Sequence, residues 1–178
     1  MQREVDVIEE ILRIYGFNTV AIPPKLNTTI SYSDGVNPEK LRNTISDLLS
    51  STGFNEAMNN SLTKAEYTAL IPEIDSALNV EILNPLSLDL NVMRQSLMFA
   101  GLENIAYNQN RRNADVKFYE FGKTYHKMEE GYKENQHLQL LVSGKVLAEN
   151  WNTNSDKADY YFIKEKVEHI LARLGATK

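Results

Sequence analysis

Residues 115–126, DVKFYEFGKTYH, constrain the fold of this chain more than any other stretch. Aromatic and β-branched side chains dominate it, which suits a pleated, half-buried strand. Glu129 to Asn135 is polar and contains Gly131, so it reads as a hairpin loop. His137 to Leu147 is then the returning strand. A long antiparallel hairpin must bury at least one face, so the rest of the chain is expected to supply covering helices.

Helical signals occur on both sides of it. Asn37 suits an N-cap and Pro38 the first helical turn. Leu41, Ile45, Leu48 and Leu49 then form an apolar stripe, and Gly53 ends the helix. Phe54 to Ser61 alternates and reads as a strand. Thr63 to Glu66 has the form of a capping box, predicting a short helix that starts at Thr63 and stops before Pro72. Asn79 to Leu83 is a short strand and Asn84-Pro85 a turn. From Arg94 to about Asn110, Leu97, Leu102, Ile105 and Ala106 recur at near-helical spacing, with Gly101 as an interruption. Residues 150–158 form a polar loop around Trp151. A last helix runs from about Tyr161 to Leu174, with Ile163, Val167, Ile170, Leu171 and Leu174 inside and Gly175 after it. The class is α+β, helices packed on a mainly antiparallel sheet.

Ahead of this body lies a separate helix, REVDVIEEILRIYG, at residues 3–16. Val5, Ile8, Ile11 or Leu12, and Tyr15 make its apolar stripe, and Gly16 stands where a helix usually stops. Residues 17–36, with Pro23-Pro24, read as an extended linker. The chain therefore divides into a terminal helix, residues 1–20, and a body, residues 21–178. Asp6, Glu9 and Glu10 fall at i, i+3 and i+4, which puts three carboxylates on adjoining turns. They repel one another unless positive charge offsets them. Either a hard cation such as magnesium does so, or basic side chains do, with Glu9 and Arg13 in the favourable orientation.

Composition narrows the function classes. A net charge of -5 and a pI near 5.3 argue against a dedicated nucleic-acid surface, though Arg111 and Arg112 leave room for a local patch. No apolar run reaches membrane-spanning length, and the acidic N-terminus does not read as a signal peptide. With zero cysteines there are no disulfides or thiolate metal sites, which is compatible with the cytoplasm. His126, His137 and His169 are too scattered to suggest zinc.

The N-terminal run resembles the segment that closes one domain of the beta subunit of bacterial phenylalanyl-tRNA synthetase. The resemblance continues through NPLSLDLNVMRQSLMFAGLENIAYNQNRRNADVKFYEFGKTY, residues 84–125. There Asn84, Pro85, Ser87, Met93, Arg94, Ser96, Leu97, Asn108, Arg111, Glu120 and Gly122 match in order. GFNEAMNNSL and DYYFIKEKVEHILARLG also fit, so the likeness runs from Arg3 to Gly175. It implies a class II aminoacyl-tRNA synthetase-like domain, incomplete at its C-terminus, that has lost its chemistry. The preceding helix would end a magnesium-associated domain.

By the same resemblance, the whole enzyme joins phenylalanine to tRNA(Phe) with ATP and magnesium, as two alpha and two beta subunits. The alpha subunit carries the catalytic residues and uses the ATP. The beta subunit meets tRNA mainly through other domains. Asp6, Glu9 and Glu10 are the implied magnesium ligands, and a fourth acid would fall one residue before Met1. Subunit contact is expected on Pro38 to Thr52 and Phe54 to Ser61.

Arg94, Arg111 and Glu120 could be taken for phosphate clamps and a base. The later glycine-rich, arginine-bearing segment of an active site does not occur in this chain, so local pairing is the better expectation for them. The aromatic residues Phe118, Tyr119, Phe121, Tyr125, Tyr160, Tyr161 and Phe162 read as core or protein interface before they read as base-stacking platforms. A free-standing magnesium-binding or tRNA-binding module remains the alternative.

Overall fold

A computed structural model describes residues 3–22, 24–25, 35–147, 151–152 and 156–176. Most of the Pro-rich linker and parts of the loop around Trp151 lie outside the described residues. The chain forms two compact units, Met1–Val36 and Asn37–Lys178. In the first, helix α1 spans Glu4–Tyr15 and a 3-10 turn spans Phe17–Thr19. Gly16 takes φ 91°, and its N–H donates back to the Leu12 carbonyl at 2.8 Å. The expected apolar stripe is present but uncovered: Val5, Ile8, Ile11 and Tyr15 are all exposed.

In the second unit, helix α2 (Pro38–Ser51) starts as its sequence predicts. The Asn37 side chain accepts from the N–H groups of Glu39 and Lys40, both at 3.0 Å. Ile45 and Leu49 are buried, whereas Leu41, expected inside, is exposed. The helix closes through Gly53, whose φ of 88° turns the chain so that the Phe54 N–H reaches the Leu49 carbonyl at 3.0 Å.

Among the described residues the strands come as two small sheets. Strands β1 (Asn55–Glu56), β5 (Val116–Met128) and β6 (Gly131–Ser143) make one, in the order β1-β5-β6. Strands β2 (Leu62–Thr63), β3 (Val80–Glu81) and β4 (Val92–Met93) make the other, in the order β2-β4-β3. Among the described residues only the β1–β5 pairing is parallel, so the antiparallel expectation holds for the other strand pairs there. The hairpin runs from Val116↔Ser143 to Met128↔Gly131, leaving Glu129 and Glu130 as the turn. The loop expected over Glu129 to Asn135 is therefore mostly strand. Its polarity reflects a hairpin tip in solvent, where Lys123 and Glu134 pair at 2.6 Å.

Other boundaries moved for identifiable reasons. The strand expected over Phe54 to Ser61 stops at Glu56, because Asn59 bonds a side chain of β5 and leaves the ladder. The capping box does not form. Thr63 pairs with Val92 in the sheet, and Asn91 accepts the Ala65 N–H at 2.9 Å for the 3-10 helix Ala65–Ala69. Helix α3 (Met98–Gln109) starts later than Arg94, whose backbone N–H is bonded to Ser61 and whose carbonyl takes Tyr125. Gly101 lies inside α3 without breaking it. A methyl group there would collide with the Leu141 side chain, so the glycine sets how closely helix and sheet approach.

Helix α4 (Tyr160–Arg173) begins on Asp159, whose carboxylate accepts the Phe162 N–H at 2.9 Å. Its Ile170 joins Ile45, Leu49, Phe54 and Tyr119 in the core, flanked by Phe121, Leu138, Leu140, Val142 and Phe162. Val167, Leu171 and Leu174, expected inside, are exposed. Among the described residues no helix is long and apolar enough to cross a membrane.

Leu49 is 1% exposed at the centre of this core. Leu49→Ala is expected to lower stability by about 2–5 kcal/mol in urea denaturation. Asn37→Ala, which removes only the cap, should cost about 1 kcal/mol.

Candidate functional site

Sequence position 94 sits just before α3, and position 120 lies mid-strand on β5. The fold brings them together as a buried ion pair. Arg94 Nη1 donates to Glu120 Oε1 at 2.7 Å, with the two side chains 5% and 4% exposed. The remaining capacity is largely used. Arg94 Nε donates to the Lys123 carbonyl at 3.0 Å. Glu120 Oε2 accepts Asn59 Nδ2 at 2.6 Å, and Asn59 Oδ1 accepts Asn104 Nδ2 at 2.8 Å. The network thus joins α3, the 57–61 segment and the hairpin. Gly122 makes room for it, since a Cβ there would run into the Arg94 guanidinium and Leu97.

Beside this network a half-open cavity of about 580 Å³ lies between the first turns of α2 and the hairpin. Ile45, Phe121 and Leu138 give it an apolar floor, and Arg42, Ser61, Tyr125 and His137 are polar groups on its wall. The Arg42 guanidinium stands over the Phe121 ring, 5.2 Å from its centroid. His137 Nε2 is bonded to the buried Thr124 hydroxyl at 2.9 Å.

The other sequence candidates separate. Arg111 bonds the Tyr107 carbonyl at 3.1 Å and stacks on that ring, so it closes α3 instead of joining Arg94. Of the aromatic residues, Tyr119 is core, Phe121 and Phe162 pack against the core, and Tyr160 and Tyr161 are exposed. Asp6 is held by Arg3 and Glu10 by Arg13, each at 3.2 Å, while Glu9 lies exposed on the same helix. Carboxylate oxygens suit magnesium. Among the described residues, however, no three His, Asp or Glu side chains gather closely enough to hold a metal ion. Asn59, Asn104 and Arg42 escaped the sequence reading. The only signal was Asn59-Asn60 within a run read as strand, where asparagine is a poor strand former.

The family model described as the phenylalanyl tRNA synthetase beta chain CLM domain matches residues 22–178. The chain belongs to this beta-chain family. It is 46% identical over 185 residues to the phenylalanine–tRNA ligase beta subunit of Bacteroides thetaiotaomicron, covering 98% of this chain and 23% of that relative. It is 33% identical to the corresponding subunit of Porphyromonas gingivalis, covering 97% and 22%. The chain therefore spans about a quarter of the length of these curated relatives. Among solved structures it resembles pyrrolysyl-tRNA synthetase from Desulfitobacterium hafniense, with TM-score 0.58, 14% identity, and coverage of 79% of this chain and 48% of that one. It also resembles the ATP phosphoribosyltransferase regulatory subunit/histidyl-tRNA synthetase of Bacillus halodurans, with TM-score 0.56, 13% identity and coverage of 89% and 40%. These likenesses give the beta-chain segment a synthetase-type α+β fold.

Removing one member of a buried ion pair strands the other's charge. Arg94→Met or Glu120→Met alone is expected to destabilise this beta-chain domain by about 3–5 kcal/mol, and the double variant by much less than the sum. Urea denaturation of the full cycle checks this. A second expectation concerns pH. Burial pushes the His126 imidazole below its usual 6.5, and Lys133 and His137 push the same way. Its Nδ1 is buried without a hydrogen-bond partner among the described residues. The fold thus favours neutral His126. Its contribution is fully present above the usual value and is lost as pH falls from there toward the lowered one. Stability should fall as pH drops through and below the usual imidazole value, and His126→Gln should flatten that loss.

Proposed function

We propose that this chain is a non-catalytic, structural part of a phenylalanine–tRNA ligase beta subunit. Residues 21–178 would be its catalytic-like but inactive domain, and residues 1–20 the end of a preceding magnesium-associated domain. The whole enzyme, an alpha2-beta2 heterotetramer of the cytoplasm, would charge tRNA(Phe) with phenylalanine using ATP and magnesium. ATP and the chemistry would belong to the alpha subunit. One observation carries the inactive reading: Arg94 and Glu120 neutralise each other in a buried network. Neither is then free to clamp a phosphate or to move a proton.

The face of α2 turned away from the core would meet the alpha subunit. Lys40, Asn43 and Asp47 recur along one exposed stripe at helical spacing, opposite buried Ile45 and Leu49. Lys40→Glu with Asp47→Lys, which keeps the net charge, should abolish co-elution of the intact beta subunit with alpha on a sizing column. Intact assembly by that variant would refute the contact.

For magnesium, Asp6, Glu9 and Glu10 would act with groups supplied elsewhere in the full subunit. Calorimetric titration of magnesium into the intact subunit should show at least about tenfold weaker binding after Asp6→Asn, Glu9→Gln and Glu10→Gln together. Unchanged binding would remove these residues from the site.

A further inference from the structure

The cavity beside α2 is built around a gap in the sheet. Along β5, the Tyr119 carbonyl takes the Ala57 N–H at 2.8 Å, the Lys123 carbonyl takes Arg94 Nε at 3.0 Å, and the Tyr125 N–H donates to the Arg94 carbonyl at 3.0 Å. These three residues therefore present their backbone groups at the edge away from β6. Alternation along an antiparallel strand places Phe121 in the same set. Yet among the described residues no hydrogen bond ends on its outward N–H or C=O. The chain that could pair there is drawn off, because the Asn59 side chain and N–H both bond the Glu120 carboxylate.

Phe121, the residue with that unpaired backbone position, lines the cavity together with Leu138 and Ile45. Above the ring stands Arg42, for which no carboxylate partner occurs among the described residues. A guanidinium, an amide donor and acceptor, and an apolar floor thus converge on one open space. Its volume of about 580 Å³ falls within the range of small-molecule sites. The walls include the buried side chains of Arg94 and Glu120, 5% and 4% exposed, which are held by each other and by Asn59 and Lys123.

We propose that this cavity binds a small organic carboxylate carrying a secondary amide and a flat apolar group. The carboxylate pairs with Arg42, the amide completes the hydrogen bonds of Phe121, and the flat group lies against the floor. Arg42 projects on the cavity side of α2 and not with Lys40, Asn43 and Asp47, while Met58 and Ser61 of the second expected contact stretch also line the cavity.

Hippurate has all three features and serves as the probe, with N-methylbenzamide lacking the carboxylate and acetate lacking the body. Met58 lines the cavity, whereas Met128 lies at the hairpin tip, so methyl-labelled methionine in the full-length subunit reports where binding occurs. Hippurate should shift the Met58 signal saturably, with a dissociation constant on the order of 1 mM, and leave Met128 unmoved. Arg42→Ala and Arg42→Gln, both at an exposed position, should weaken it at least about tenfold while the thermal melt stays in place. The other two probes should fail to saturate at the same concentration. The proposal is overturned if hippurate gives no saturable Met58 shift, or if it saturates alike in the wild type and both Arg42 variants.

Discussion

The buried pair of Arg94 and Glu120 sets most of what surrounds it. A charge taken out of water is costly unless every oxygen and N–H finds a partner. This pair meets that demand by recruiting backbone and amides from three separate stretches of chain: Lys123 from the hairpin, Asn59 from the segment after β1, and Asn104 through Asn59. The consequences are geometric. Gly122 has to lack a side chain because the guanidinium lies against it. Helix α3 cannot start at Arg94, because that residue's backbone already serves the sheet. Strand β1 ends after Glu56: the Ala57 N–H still reaches the Tyr119 carbonyl, but the Asn59 N–H that would follow on that side goes to the Glu120 carboxylate.

The same network explains how this sheet can keep charged residues at its centre. Replacing such a pair by apolar side chains often leaves a protein equally stable. Stability alone is then a weak reason for its presence. What an ionic pair with directional bonds does supply is register. A hairpin of 13-residue strands could slip, and each one-residue slip would turn every core side chain to the other face. Glu120 meets Arg94 and Asn59 in only one register, the one that also sends Tyr119 and Phe121 toward α2 and α4.

Much of this was readable from the residues. The Asn37-Pro38 start of α2, the aromatic strand and the family likeness all follow from local chemistry or ordered motifs. Local pairing of Arg94 was also expected, and the structure pairs it with Glu120. What the sequence hid was long-range substitution. Thr63 to Glu66 has every letter of a capping box, yet Thr63 is drawn into a strand and Asn91 supplies the cap from 26 residues away. Asn59 likewise stands in an alternating run whose pattern gives no hint that its amide is committed to Glu120. In both cases a side chain distant in sequence outbid the local backbone pattern, and no window of neighbours contains that information.

Periodicity also has a limit of a different kind. It reports that a helix has an apolar face, not what the face meets. In α2 the stripe resolves correctly at Ile45 and Leu49, because the hairpin is there to receive it. In α4 Ile170 reaches that core and Phe162 packs against it, while Val167, Leu171 and Leu174 are still 41%, 41% and 39% exposed. In α1 Val5, Ile8, Ile11 and Tyr15 are exposed. Hydrophobic transfer of roughly 25 cal/mol per Å² makes such faces costly to leave in water. Helical spacing alone therefore placed Val167, Leu171 and Leu174 inside, where the structure leaves them exposed.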